Sequence, residues 1–164
     1  MGPDALTELV ERHAAALMLY ARQWCGSPED VVQAAFLKLA RQAAVPDRLI
    51  PWLYRVVRNG AIDAGRAERR RQKYEAMAAA DAPTWFVPPE DPAGLDAEAA
   101  TAALAALPTE TREIVVAHLW GGLTFEQVAV LVGGSASTCY RRYAAALETL
   151  RCRLDPTPTR RPTR

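Results

Sequence analysis

A chain of 164 residues, half of them apolar, is long enough for one domain or two small ones with buried cores. Alanine is abundant and β-branched runs are few, which leans the chain towards an all-α fold, and no stretch of about 18 apolar residues is present to span a bilayer. The formal net charge of +1 averages three unlike segments: residues 1–74 carry 12 Lys/Arg against 8 Asp/Glu, residues 75–110 carry 7 acids and no Lys or Arg, and residues 111–164 carry 8 Arg against 4 acids. Basic faces attract phosphate backbones by Coulomb attraction and counterion release, so two basic modules on one acidic connector suggest contact with nucleic acid at two places. Cys25, Cys139 and Cys152 are odd in number, widely spaced and without a CxxC pair, which argues against a disulfide framework or a zinc site. The start of the chain lacks a charged segment followed by an apolar core and a small-residue cleavage site, so a reduced, cytoplasmic setting is expected.

Leu6, Leu9, Val10, His13, Leu17, Tyr20, Ala21 and Trp24 recur at helical spacing and predict a first amphipathic helix, ended by Cys25-Gly26-Ser27-Pro28. Ser27 is the expected N-cap of a second helix, with Pro28 at its first position and Asp30 adding early negative charge. Val32, Ala35, Phe36 and Leu39 form its buried stripe, leaving Asp30, Gln33, Ala34, Leu37 and Arg41 outside. A loop over 43–50 precedes a third helix predicted from Pro51 to about Lys73. Leu53, Val57, Ala61 and Ala64 form one stripe of that helix, and Trp52, Arg55, Asn59, Asp63 and Arg66 spread over the rest. Its cationic end, from Arg66 through Lys73, suits a helix C-terminus electrostatically, so part of the charge needs no further role.

Residues 81–94, with Pro83, Pro88, Pro89 and Pro92 among acids, read as an extended linker in which Trp85 and Phe86 are expected to dock on a neighbouring surface. Helix resumes near Leu95, breaks at Pro108-Thr109, and continues from Glu110 to Trp120, where Gly121-Gly122 stops it. Thr124 to Gln127 matches a capping box. Gly133-Gly134 ends that short helix, and Ser135 caps a last long one with the stripe Cys139, Tyr143, Ala146, Leu147, Leu150 and Leu154. The tail, residues 155–164, is expected to be disordered.

A short helix, a Gly-containing turn and a longer helix make the helix-turn-helix pattern, whose second helix enters the major groove. With Cys139, Tyr143 and Leu147 turned inward, Ala136, Ser137, Tyr140 and Arg141 face outward. Arg reads guanine bidentately, while Ser, Thr and Tyr bond phosphates or bases. Thr138 and Arg142 flank this face, where phosphate contacts are expected. The same spacing also fits an ordinary helical hairpin with solvated arginines.

Here the residues resemble a family. Leu104-Ala105-Ala106-Leu107-Pro108, Arg112-Glu113-Ile114-Val115, Leu123-Thr124-Phe125-Glu126-Gln127-Val128-Ala129 and Leu147-Glu148-Thr149-Leu150-Arg151 look like region 4 of extracytoplasmic-function (ECF) sigma factors. Pro28-Glu29-Asp30-Val31-Val32-Gln33-Ala34-Ala35-Phe36-Leu37 resembles their region 2.2, and Pro51-Trp52-Leu53-Tyr54-Arg55-Val56-Val57-Arg58-Asn59-Gly60-Ala61-Ile62-Asp63 their regions 2.3 and 2.4. The resemblance implies an all-α protein of two small helical domains: a region 2-like domain over 1–74, an acidic Pro-rich linker over 75–101, and a region 4-like helix-turn-helix domain over 102–154. It implies a sigma factor without catalysis, cofactor or metal, which binds core RNA polymerase at the β′ clamp and β flap and recognises promoter DNA. An anti-sigma protein is a further partner it allows.

By the same resemblance, Asp30, Gln33, Leu37 and Arg41 are the polymerase-contact residues. The loop carrying Arg48 and the helix carrying Trp52, Arg55, Arg58, Asn59 and Arg66 capture the opened −10 element. An unstacked base offers its edge and face to aromatic and polar side chains. Trp52 is equally a core-packing residue, and Asp63 fits a structural pair with an Arg. Ser135, Ser137, Thr138, Tyr140, Arg141 and Arg142 match the −35 reading helix. The chain departs from the family at Ala34, where Glu is usual, at Gly134, at Tyr140-Arg141, and at Gly60 and Gly65. Each of those two glycines costs roughly 1 kcal/mol of helix propensity and predicts a softer −10 helix.

Two other readings use the same features: a polymerase-independent helix-turn-helix regulator, and a helical protein-interaction module. An enzyme fits worst. His13 and His118 lie on helical stripes, and no Ser/His/Asp, Cys/His, metal-ligand or phosphate-loop grouping is present in the sequence.

Overall fold

The computed structural model describes residues 2–75 and 97–154, which form seven helices and, among the described residues, no strand. They are α1 (Pro3–Ala21), α2 (Pro28–Ala40), α3 (Leu49–Glu75), α4 (Ala97–Ala105), α5 (Thr109–Leu119), α6 (Phe125–Val132) and α7 (Ala136–Leu154). The expected linker over 81–94, the docking of Trp85 and Phe86, and the tail over 155–164 lie outside the described residues. α4 begins at Ala97, within the stretch assigned to the linker by the 75–101 boundary.

The α2 stripe is as expected. Val32, Ala35, Phe36 and Leu39 are buried, while Asp30, Gln33, Ala34, Leu37 and Arg41 are exposed. Leu17, Tyr20 and Ala21 of α1 and Leu53, Tyr54, Val57 and Ala61 of α3 close the same core. Ser27 sits at the N-cap of α2 but makes no side-chain cap bond. Its hydroxyl donates instead to Glu68 Oε1 at 3.1 Å, and the Gly26 N–H donates to Glu68 Oε2 at 3.0 Å. A carboxylate from α3 thus holds the α1–α2 turn, a long-range competitor that local capping rules do not see.

α3 starts at Leu49, two residues before the expected Pro51. Its two mid-helix glycines differ in what surrounds them. A Cβ built on Gly65 would lie 1.9 Å from the Trp24 carbonyl oxygen, so only glycine lets the α1–α2 turn approach α3. At Gly60 the nearest atom is the side-chain tip of Val31, at 3.2 Å.

The Thr124 capping box is complete, with the Gln127 N–H donating to Thr124 Oγ1 and the Thr124 N–H to Gln127 Oε1. Ser135 caps α7 by accepting from the Thr138 N–H at 3.2 Å. Cys139, Ala146 and Leu150 are buried, and Tyr143, Leu147 and Leu154 are half-buried.

The two helical halves are not independent bodies. One apolar core runs from Leu17, Tyr20, Tyr54 and Val57 into Ile114, Val116, Ala117, Leu123 and Val128. α5 packs on α1, and α6 packs on α3. A second cluster of Ala103, Leu107, Val115, Ala146 and Leu150 completes the C-terminal half.

Candidate protein and nucleic-acid interfaces

α2 presents a solvent face of Asp30, Gln33, Leu37 and Arg41, with Leu37 half-exposed despite its size. Around the edge of α2 the surface falls into a groove of about 610 Å³ between α2 and α3. Asp30, Ala34 and Lys38 line one wall; Trp52, Arg55, Asn59 and Asp63 line the other. Trp52 is part core and part groove: it is half-buried against the apolar cluster while lining the opening. An aromatic face, an amide and cations of both walls around one opening suit a base that is stacked, hydrogen-bonded and held by its phosphate. Lys38 was missed in the sequence, although it lies one turn from Ala34 and two from Asp30 and so shares their side of α2.

Further along α3, Asp63, Arg66, Arg69, Arg70 and Lys73 line a second, wholly charged depression. Asp63 pairs with Arg66 at 3.7 Å, as the spacing predicts, and both are well exposed, so the pair adds little stability. Arg48 is exposed in the loop before α3 and is not part of the groove.

Arg58 is placed differently from the other expected −10 residues. Its Nε donates to Glu113 Oε1 at 2.6 Å and its Nη2 to Oε2 at 3.4 Å, and its guanidinium lies 5.8 Å from the Trp24 ring centroid. Glu113, on α5, is only 3% exposed and also accepts from Tyr20 Oη at 2.5 Å. The carboxylate hydrogen bond is the main reason the Arg58 pKa rises, while burial and then the Glu113 charge push the Tyr20 phenol well above its ordinary value. Glu113 is buried while 28% of the Arg58 side chain is exposed, so losing the guanidinium strands a buried carboxylate, whereas losing the carboxylate leaves a cation that water can reach. Nothing in helical spacing marks Glu113; its partners lie 55 and 93 residues away.

On α7, Ser137, Tyr140 and Arg141 are exposed side by side, and Ser135 Oγ lies 3.1 Å from Ser137 Oγ and 2.9 Å from Thr138 Oγ1. The Tyr140 ring meets Phe125 edge-on at 5.5 Å, which fixes the tyrosine against α6. Arg142 bonds Glu110 at 2.9 Å, with both side chains largely exposed. Such a surface pair is worth about 0–1 kcal/mol and yields readily to a phosphate. His118 is structural. Its Nδ1 lies 2.7 Å from the Leu123 carbonyl, and its ring stacks on Phe125 at 4.2 Å and meets Tyr143 edge-on. Since the carbonyl only accepts, Nδ1 carries the proton.

These surfaces coincide with two matched families. The Sigma-70 region 2 family model matches residues 9–71, and the Sigma-70, region 4 model matches residues 97–150. The chain is 32% identical to the ECF RNA polymerase sigma factor SigL of Mycobacterium tuberculosis over 90% of this chain and 87% of that protein. It is 29% identical to the RNA polymerase sigma factor CarQ of Myxococcus xanthus, over 90% of this chain and 88% of that protein. A 32% match to the probable RNA polymerase sigma factor RfaY of Xanthomonas campestris spans 83% of this chain but only 36% of that protein. Among solved structures, the sigma factor RpoE of Bartonella quintana, in complex with the anti-sigma factor NepR, superposes with a TM-score of 0.70 at 21% identity, covering 93% of this chain and 98% of that one. CnrH, in complex with the cytosolic domain of CnrY, superposes with a TM-score of 0.59 at 25% identity, covering 95% and 91%.

The chain belongs to the ECF sigma factor family. It is an RNA polymerase sigma factor, which works with core polymerase on promoter DNA to direct transcription initiation. The match over residues 9–71 leaves no support for a regulator built on the C-terminal half alone.

Proposed function

We propose that α2 docks core polymerase at the β′ clamp through Asp30, Gln33, Leu37 and Arg41, and that the region 4 half docks the β flap. Arg48, Trp52, Arg55, Arg58, Asn59 and Arg66 capture the opened −10 element. Ser135, Ser137, Thr138, Tyr140, Arg141 and Arg142 read the −35 element as duplex. The observation that carries this reading is the α2–α3 groove, where an aromatic face, an amide and a guanidinium line one opening beside the exposed α2 face. In this reading residues 1–74 and 102–154 are the working units. The chain acts in the cytoplasm without catalysis of its own, and no described helix is long and apolar enough to cross a membrane. An anti-sigma protein is a further partner in this reading; CnrH, a structural neighbour, is solved as a complex with another protein, the cytosolic domain of CnrY.

Run-off transcription from a genomic fragment pool with purified core polymerase tests the assignment. Wild-type protein should select a small set of fragments. Asn59→Ala should lose strand opening, read by permanganate on unpaired thymines, more than initial binding. Equal loss on a pre-melted bubble and on duplex would remove Asn59 from base capture.

A further inference from the structure

The seam between the two halves places a carboxylate on a cation that the proposed function needs for DNA. Glu113 grips Arg58 through both oxygens and takes a third hydrogen bond from Tyr20. A carboxylate that binds one guanidinium through two oxygens presents the geometry of a phosphate. Seam packing around it is imperfect: Gln23 Oε1 and Tyr54 Oη are both buried with no hydrogen-bond partner among the described residues. Gln23 lies where α1 faces Leu104, Arg112 and Val116, and the Tyr54 hydroxyl lies beneath Gly121. A buried polar group left unpaired opposes the packing that buries it. Among the described residues the halves are therefore joined by a shared apolar core and one buried-carboxylate ion pair, in a seam that also buries two unpaired polar atoms.

From this we infer that Glu113 is an internal stand-in for a DNA phosphate, clasping region 4 onto region 2 and withholding Arg58 until single-stranded promoter DNA or polymerase separates the halves. The inference rests on the proposed assignment of Arg58 to −10 DNA. In the clasped molecule Arg55 and Asn59 remain exposed in the groove, while Arg58 is shielded. Opening the clasp adds one cation to the DNA-binding face. It also frees α5 and α6 from α1 and α3, so the two halves can reach separate promoter elements.

The test measures binding of the full chain to a fluorescein-labelled single-stranded oligonucleotide of mixed sequence at several salt concentrations. Glu113→Gln keeps the side-chain shape and removes the charge. It should raise affinity about tenfold, the equivalent of one charge-assisted hydrogen bond, and steepen the salt dependence by about 0.7, the increment for one more phosphate on a single strand. Both gains should vanish in Arg58→Ala/Glu113→Gln. Tyr20→Phe, which removes one donor from the carboxylate and leaves the charge in place, should raise affinity about threefold and serves where Glu113→Gln loses helical circular dichroism. Unchanged affinity in both variants, or a gain that persists without Arg58, overturns the clasp. Arg55→Ala separates the two claims. If it weakens binding while Glu113→Gln has no effect, the groove assignment stands and the clasp falls; if it has no effect, the groove assignment itself fails.

Discussion

Gly60 and Gly65 look alike in the sequence, since both sit inside a helix and both forfeit propensity. Their surroundings separate them. Ala at 65 would drive a Cβ into a backbone carbonyl, which has no rotamer to escape into, whereas Ala at 60 meets the end of a valine side chain. Gly65→Ala should therefore destabilise by about 1–3 kcal/mol, as overpacking does, despite a propensity gain of about 1 kcal/mol. Gly60→Ala should be neutral or stabilising by up to about 1 kcal/mol. Urea denaturation of the two variants checks the contrast, and equal effects would mean that propensity governs α3. His13 yields a second residue-scale expectation. Burial, and then the neighbouring Arg12 charge, lower its pKa below 6.5. Between the lowered folded value and 6.5 the unfolded chain binds more protons, so stability is full above 6.5 and declines as pH falls below it. His13→Gln should flatten that part of the profile relative to wild type, read as the difference between the two stability–pH curves.

Helix faces were legible because periodicity is a local property. The α2 stripe, the Thr124 capping box and the Cys139–Ala146–Leu150 stripe are where spacing puts them. Ser27 was only half legible: it occupies the cap position, but Glu68 takes its hydroxyl. The groove was visible as two separate helix faces, and nothing in either spacing says that they meet. On α7 the arginines can be told apart by their neighbours. Arg141 is exposed beside Tyr140, whereas Arg142 is already paired with a carboxylate that a phosphate can replace. Arg141→Ala should cost about 1–3 kcal/mol and relax preference at one −35 position. Arg142→Ala should weaken all sequences alike and lower the salt slope by about one. Titrations on a randomised −35 library at two salt concentrations decide between the roles, and a uniform loss for Arg141→Ala would reduce it to a backbone contact.

At the scale of the whole molecule, the sequence suggested two domains on a linker, and the described residues form a continuous core. Charge segregation and family motifs mark the halves because each carries its own signals. The seam depends on pairings such as Tyr20–Glu113, across 93 residues, which local patterns do not encode. Gly121 tests the seam without touching its charge. In the sequence it is a helix stop, but a Cβ there would lie 2.5 Å from Tyr54 Oη and 2.7 Å from Tyr54 Cζ, atoms of a fully buried ring across the seam. It would also lie 2.4 Å from the Ala117 carbonyl within its own half. The ring cannot retreat, because it packs edge-on against Tyr20 at 4.9 Å. Gly121→Ala should therefore lift the turn between α5 and α6 from α3 rather than be absorbed. Small-angle scattering should report a larger radius of gyration, and thermal unfolding, expected as one transition for the wild-type shared core, should broaden or split as the halves unfold separately. Helical content at low temperature should stay near wild type, since each half keeps its own apolar stripe. A variant that loses stability with an unchanged radius of gyration would confine the role of Gly121 to the Ala117 carbonyl and the end of α5.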